Sequence, residues 1–189
     1  MKTMVIGTLC LIAGLAGGAA GTTFAPTLLG GAHGGLGANQ PYRDEQGRPI
    51  TSLSAEDVAQ LEAGAGWGLA KPAEFNGYPG PAHVLEFADE LDLTEEQLVG
   101  IQASFGSMQA RAKMLGRHLI EAEKALDGAF VDGVVTSELL QLRLEAAEAV
   151  RADLRQTHLA AHLEVTPLLT NQQREKYDQL RGYAGHSGH

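Results

Sequence analysis

His158 and His162 stand four residues apart in a run with helical periodicity, so they share one helix face and could both reach a single metal ion. Neutral imidazoles suit zinc, copper, nickel or cobalt. Two imidazoles do not complete a site. His83 is the third candidate ligand, with Glu86 and Glu90 as acidic neighbours. The competing reading makes His158 a core-edge histidine with a backbone or carboxylate partner and leaves His162 in water. Met114 and His118 form another pair at the same spacing, read as a surface pair beside Leu115 and Leu119. His186 and His189, separated by serine and glycine in the tail, could collect a metal or stay solvated, and His33 is expected to be a solvated loop residue. Unperturbed histidines titrate at about pH 6 to 7, so an acid response is one use for them.

Catalytic constellations are missing. The chain has no glycine-rich phosphate loop and no nucleophile elbow, and Cys10 is its only cysteine. The expected protein is non-enzymatic, with no cofactor required. A net charge of −9 gives no electrostatic footprint for nucleic acid. Aromatic residues make up 5% of the chain while Ala, Leu and Glu abound, a composition suited to helices.

The elements that must position these residues follow in order. Lys2, the apolar run Met4 to Ala16 and the small residues Gly17 to Gly21 have the order of a secretory signal peptide, 1–21, with cleavage near Ala19 to Gly21. This implies a periplasmic protein carried across an inner membrane; an uncleaved inner-membrane anchor is the alternative. Cys10 lies too early for a lipoprotein cysteine, and a cleaved chain would hold no thiol. Residues 22–52, rich in Gly, Ala and Pro, read as a flexible leader. An N-terminal arm, 53–81, begins with one short helix capped by Ser54, with Asp57 three residues on, and stopped by Gly64. Gly, Pro and Asn then punctuate a loop around Trp67, Leu69, Phe75 and Tyr78, whose aromatics either pin the arm to the helices or form a binding surface.

Pro81 starts the next short helix. Thr94 then caps a long one: its hydroxyl faces the Gln97 amide and Gln97 reaches back, with Leu93 and Leu98 as a hydrophobic staple. From Leu98 to Ala129 an apolar seam alternates steps of three and four: Leu98, Ile101, Phe105, Met108, Ala112, Leu115 and onward. A turn is expected over 127–135, where Gly128 and Asp132-Gly133 fall. A second long helix carries Leu140 to Leu168 at similar spacing, interrupted by Arg151 and His158. Thr170 and Gln173 repeat the capping box for a last helix, and residues 184–189 form a tail with no structural signal. The fold class is all-α: a long antiparallel helical hairpin with short flanking helices. Facing residue numbers sum to about 263, which puts His158 beside Phe105, His162 beside Ile101 and Arg151 beside Ala112. Such a hairpin leaves much of its seam uncovered unless a second copy covers it, so a homodimer is expected.

The signal, the hairpin and two Leu-Thr-x-x-Gln stretches (Leu93, Thr94, Gln97; Leu169, Thr170, Gln173) resemble the Spy/CpxP family of periplasmic proteins, related to zinc-resistance-associated proteins and CnrX-type heavy-metal sensors. The resemblance covers residues 82–183. It implies an ATP-independent chaperone-like or adaptor protein of envelope stress whose partners are unfolded or envelope proteins or a membrane sensor protein. The metal-sensing relatives imply the alternative, a periplasmic heavy-metal sensor or metal-binding protein. Acidic side chains outnumber basic ones over 82–183, a departure from the basic client surface associated with the Spy-type chaperone. If Thr94 acts as a helix cap and nothing more, Thr94→Ala lowers stability by about 1 kcal/mol in thermal unfolding and leaves partner binding intact. Lost binding at unchanged stability would make the motif a recognition surface.

Overall fold

The computed structural model describes residues 42, 43 and 45–183. Residues 1–21, read above as a signal peptide, with Cys10, the expected leader up to residue 41 with His33, and the tail with His186 and His189 lie outside the described residues. Among the described residues all regular structure is helical: α1 (Ala55–Ala63), α2 (Lys71–Glu74), α3 (Pro81–Glu86), α4 (Glu95–Val131), α5 (Ser137–Val165), a 3₁₀ turn (Thr166–Leu168) and α6 (Asn171–Leu180). The all-α class expected from composition and periodicity is therefore found. No helix in this region is long and apolar enough to cross a membrane.

Local chemistry sets the helix starts. Ser54, Thr94 and Thr170 each accept from the backbone N–H three residues on, and Asp57, Gln97 and Gln173 each reach back to the cap N–H. Two donors that a helix would leave unpaired are satisfied at each start. Gly64 ends α1 at φ +66°, a left-handed position that costs glycine nothing.

α4 and α5 run antiparallel, but not in the expected register. A turn centred near residue 131 would set Glu164 beside Val99 and Thr157 beside Gly106. Instead Ser104 donates to Glu164 at 2.8 Å and Arg111 donates to Thr157 at 3.1 Å. The displacement is about five residues, more than one helical turn. Its cause is Gly128, which stays helical, so that α4 continues to Val131 and the turn falls at 132–136, with Gly133 at φ +66°. Arg151 accordingly pairs with Glu123 rather than facing Ala112.

The seam is covered in two clusters. Ile50, Leu53 and Leu61 close over Ala112, Leu115, Leu119, Ile120 and Leu154. Val84, Leu91, Ile101, Val165, Leu169 and Tyr177 form the second. α1 lies on α4 at Gly116, where a Cβ would stand 2.2 Å from the Leu61 carbonyl oxygen, so only a bare backbone permits the approach. The leader is also shorter than its composition suggests: Ile50 is buried, the Thr51 N–H donates to Asp127 at 2.9 Å and the Ser52 hydroxyl donates to Glu123 at 2.9 Å. One buried apolar residue and two hydrogen bonds within residues 50–52 leave no periodic signal to read. The arm likewise holds a second, one-turn helix, α2, started by Pro72 in its first turn.

Candidate functional site

Between the two clusters the seam residues Phe105 and Met108 are only half-buried, and beside them lies a cavity of about 510 Å³. Its walls come from the arm, from the start of α3, from α4 and α5, and from the residues after α6. His83, His158 and His162 all line it, so the structure brings the three proposed metal ligands to one place. Glu86 and Glu90 are exposed and do not join them. The carboxylate that does is Glu74, on α2.

Glu74 is 8% exposed and heavily bonded. Its Oε1 accepts from the Tyr177 hydroxyl at 2.6 Å, the Tyr183 hydroxyl at 3.0 Å and the Arg181 Nε–H at 3.1 Å. His83 Nδ1 stands 3.5 Å from the same oxygen, and His162 Nδ1 3.8 Å from Oε2. A carboxylate out of water requires such partners, because an unpaired buried charge is strongly destabilising. Burial first, then the bond to Glu74, raises the Tyr177 phenol well above its ordinary range, so it remains a donor.

His162 is 7% exposed, which corrects its reading as a solvated residue. Its Nδ1 lies 2.7 Å from the Tyr78 carbonyl oxygen. A carbonyl only accepts, so Nδ1 carries the proton and Nε2 of the neutral ring keeps its lone pair. The ring rests on Gly80, where a Cβ would stand 2.7 Å from Cε1 and 2.9 Å from Nε2. His158 is 2% exposed, and its buried Nε2 has no hydrogen-bond partner, so the backbone or carboxylate partner allowed for it is not found. Burial, and secondarily His162, lowers its pKa from the ordinary imidazole value. As the rings stand, no three His, Cys, Asp or Glu side chains among the described residues are grouped to hold one ion. Met114 and His118 are exposed on α4, away from the cavity lining.

The arm aromatics pin the arm, as the first of the two readings has it, and also line the cavity. Trp67 is half-buried, donates from Nε1 to Asp57 at 2.7 Å and carries the Arg151 guanidinium 5.2 Å from its ring centre. Phe75 stays half exposed and meets Tyr183 edge to face at 5.5 Å. Both line the cavity.

The two motif glutamines meet each other. Gln97 Nε2 donates to Gln173 Oε1 at 2.9 Å and to the Leu168 carbonyl at 2.8 Å; Gln173 Nε2 donates to Gln97 Oε1 at 3.1 Å and to the Leu91 carbonyl at 3.2 Å. Each amide thus finishes its own capping box while holding the chain that precedes the other. The paired caps join α4 to α6, whose Tyr177 and following Arg181 reach Glu74.

Sequence reasoning missed Glu74, Tyr177, Arg181 and Tyr183. One signal was present: Glu74 is the only acid between Glu62 and Glu86, in an otherwise apolar, glycine-rich stretch. No protein-family model matches this chain, and neither the curated proteins nor the solved structures contain a significant match to it. The fold and the site define an all-α protein with a histidine-lined cavity under a docked arm.

The low pKa of His158 has a definite consequence. As pH falls through about 6.5 the unfolded chain takes up a proton at this position while the native chain does not, so stability declines until the lower native pKa is reached. Urea unfolding at pH 7.5 and pH 5 is expected to show this loss, and His158→Phe is expected to reduce the difference. An unchanged pH dependence in His158→Phe would mean that the loss arises elsewhere.

Proposed function

We propose that this chain is a non-enzymatic periplasmic stress protein of the Spy/CpxP type, which binds protein partners through apolar side chains of its helical hairpin without ATP. The observation that carries the reading is the uncovered turn end of α4 and α5. There Val131 is 83% exposed and Leu142 59% exposed, and Phe130, Val134 and Leu144 are exposed beside them in sequence. Apolar side chains left in water at this end support partner binding there, and Val99 (68% exposed) and Leu163 (61% exposed) extend the exposed apolar surface along α4 and α5. The signal-like residues 1–21 and the two Leu-Thr-x-x-Gln stretches support the location and the family resemblance. A second copy, an unfolding envelope protein or a membrane sensor protein are the partners that fit.

A second reading, a periplasmic metal sensor or buffer for zinc, copper, nickel or cobalt, is favoured by one observation: His83, His158 and His162 share a cavity, with Nε2 of His158 unpartnered. Filling it would require the rings to turn toward a common point. A calorimetric titration with the four metals on protein lacking the tail after Tyr183 separates the readings, because metal binding lost in His158→Ala with His162→Ala would favour the sensor.

For the first reading, near-stoichiometric protein is expected to suppress aggregation of an unfolding client. Val131→Asp with Leu142→Asp is expected to abolish most of that suppression with little change in stability, since both positions are exposed. Absence of suppression by the wild-type chain, with no partner recovered from envelope extracts, would overturn the reading.

A further inference from the structure

The cavity has features that partner binding at the turn end does not use, and apolar walls and a rim cation that metal sensing does not use. Most of its surface is apolar, with Trp67, Phe75, Phe105 and Met108 presenting rings and a thioether. At about 510 Å³ it falls within the range of small-molecule sites. Its charges differ in sign from the rest of the molecule. The chain carries −9, but the lining holds two permanent cations, Lys71 and Arg181, against one carboxylate, Glu74. Arg181 is committed to Glu74. Lys71 is exposed, its ammonium makes no hydrogen bond or ion pair among the described residues, and it folds over Gly68, with Nζ 3.5 Å from where a Cβ would lie. No carboxylate among the described residues pairs with it at the rim. Inside, His158 Nε2 is buried without a partner, which is costly unless something bonds to it.

We propose that this cavity binds a small amphipathic organic anion: an aromatic or alkyl body lying along Trp67, Phe105 and Met108, a carboxylate or sulfonate head facing Lys71, and a polar group on the body bonding to His158. Three independent features select that class. The apolar walls reject a free inorganic anion, the surplus positive charge disfavours a cationic ligand, and the buried imidazole rewards a ligand with one internal hydrogen-bonding group.

The test uses the full chain and two fluorescent probes, 8-anilinonaphthalene-1-sulfonate and its neutral analogue N-phenyl-1-naphthylamine, which share a ring body and an N–H but differ in the anionic head. One saturable site for the sulfonate is expected, displaced by dodecanoate. Lys71→Glu is expected to weaken the sulfonate about tenfold and leave the neutral probe nearly unchanged. His158→Phe, which keeps the volume filled, is expected to weaken both. Circular dichroism and urea unfolding of the variants verify that each folds. Binding of the sulfonate unchanged in both variants, many weak sites in place of one, or equal weakening of both probes by Lys71→Glu would each overturn the proposal. Displacement of the probe by zinc and not by dodecanoate would give the cavity to a metal instead.

Discussion

A carboxylate removed from water dictates how this protein is assembled. Glu74 lies on a four-residue helix in an arm that has little core of its own, yet it is buried. The cost of burying it is offset only where donors converge, and the donors come from far along the chain: Tyr177, Arg181 and Tyr183 bond to it, with His83 and His162 close by. Docking the arm, seating the residues after α6 and closing the wall of the cavity are therefore one event. Gly80 shows the same constraint from the other side, since any side chain there would displace the His162 ring.

The glutamine pair gives that event a fixed frame. Gln97 and Gln173 tie the starts of α4 and α6 together through their own caps. Shared hydrogen bonds of this kind fix both spacing and orientation, because each amide has its donors and its oxygen committed. The apolar seam then divides. One cluster sits under α1 and the residues before it, the other under α3 and α6, and the gap between them is where Phe105 and Met108 meet the cavity instead of a packed neighbour. The cavity is a product of how two short layers tile one long helix pair.

What could be read from the residues was what is local. The boxes at Ser54, Thr94 and Thr170, the stop at Gly64 and the long periodic seam all depend on neighbours within one or two turns, and all-α follows from them. The pairing of α4 with α5 was displaced because Gly128 resembles a turn residue but costs a long helix only about 1 kcal/mol, which packing at Ala129 and its neighbours outweighs. Ile50 and Glu74 were not legible for a different reason. Each sits in a stretch without period and is fixed by distant partners: Ile50 packs into the cluster on α4 and α5 beside the bond from Ser52 to Glu123, and Glu74 accepts from Tyr177. The histidines were legible as a shared helix face, but not their environment: the Tyr78 carbonyl that sets the His162 tautomer comes from a loop whose path no local pattern specifies.

Hydrogen–deuterium exchange of the full chain and of Glu74→Gln tests most directly whether the buried carboxylate holds the arm in place. The substitution keeps the shape and removes the charge. Exchange in α2 and α6 is expected to accelerate roughly a hundredfold, while the middle of α4 and α5 stays protected. Unchanged protection in α2 and α6, or rapid exchange of both already in the wild-type chain, would contradict the account.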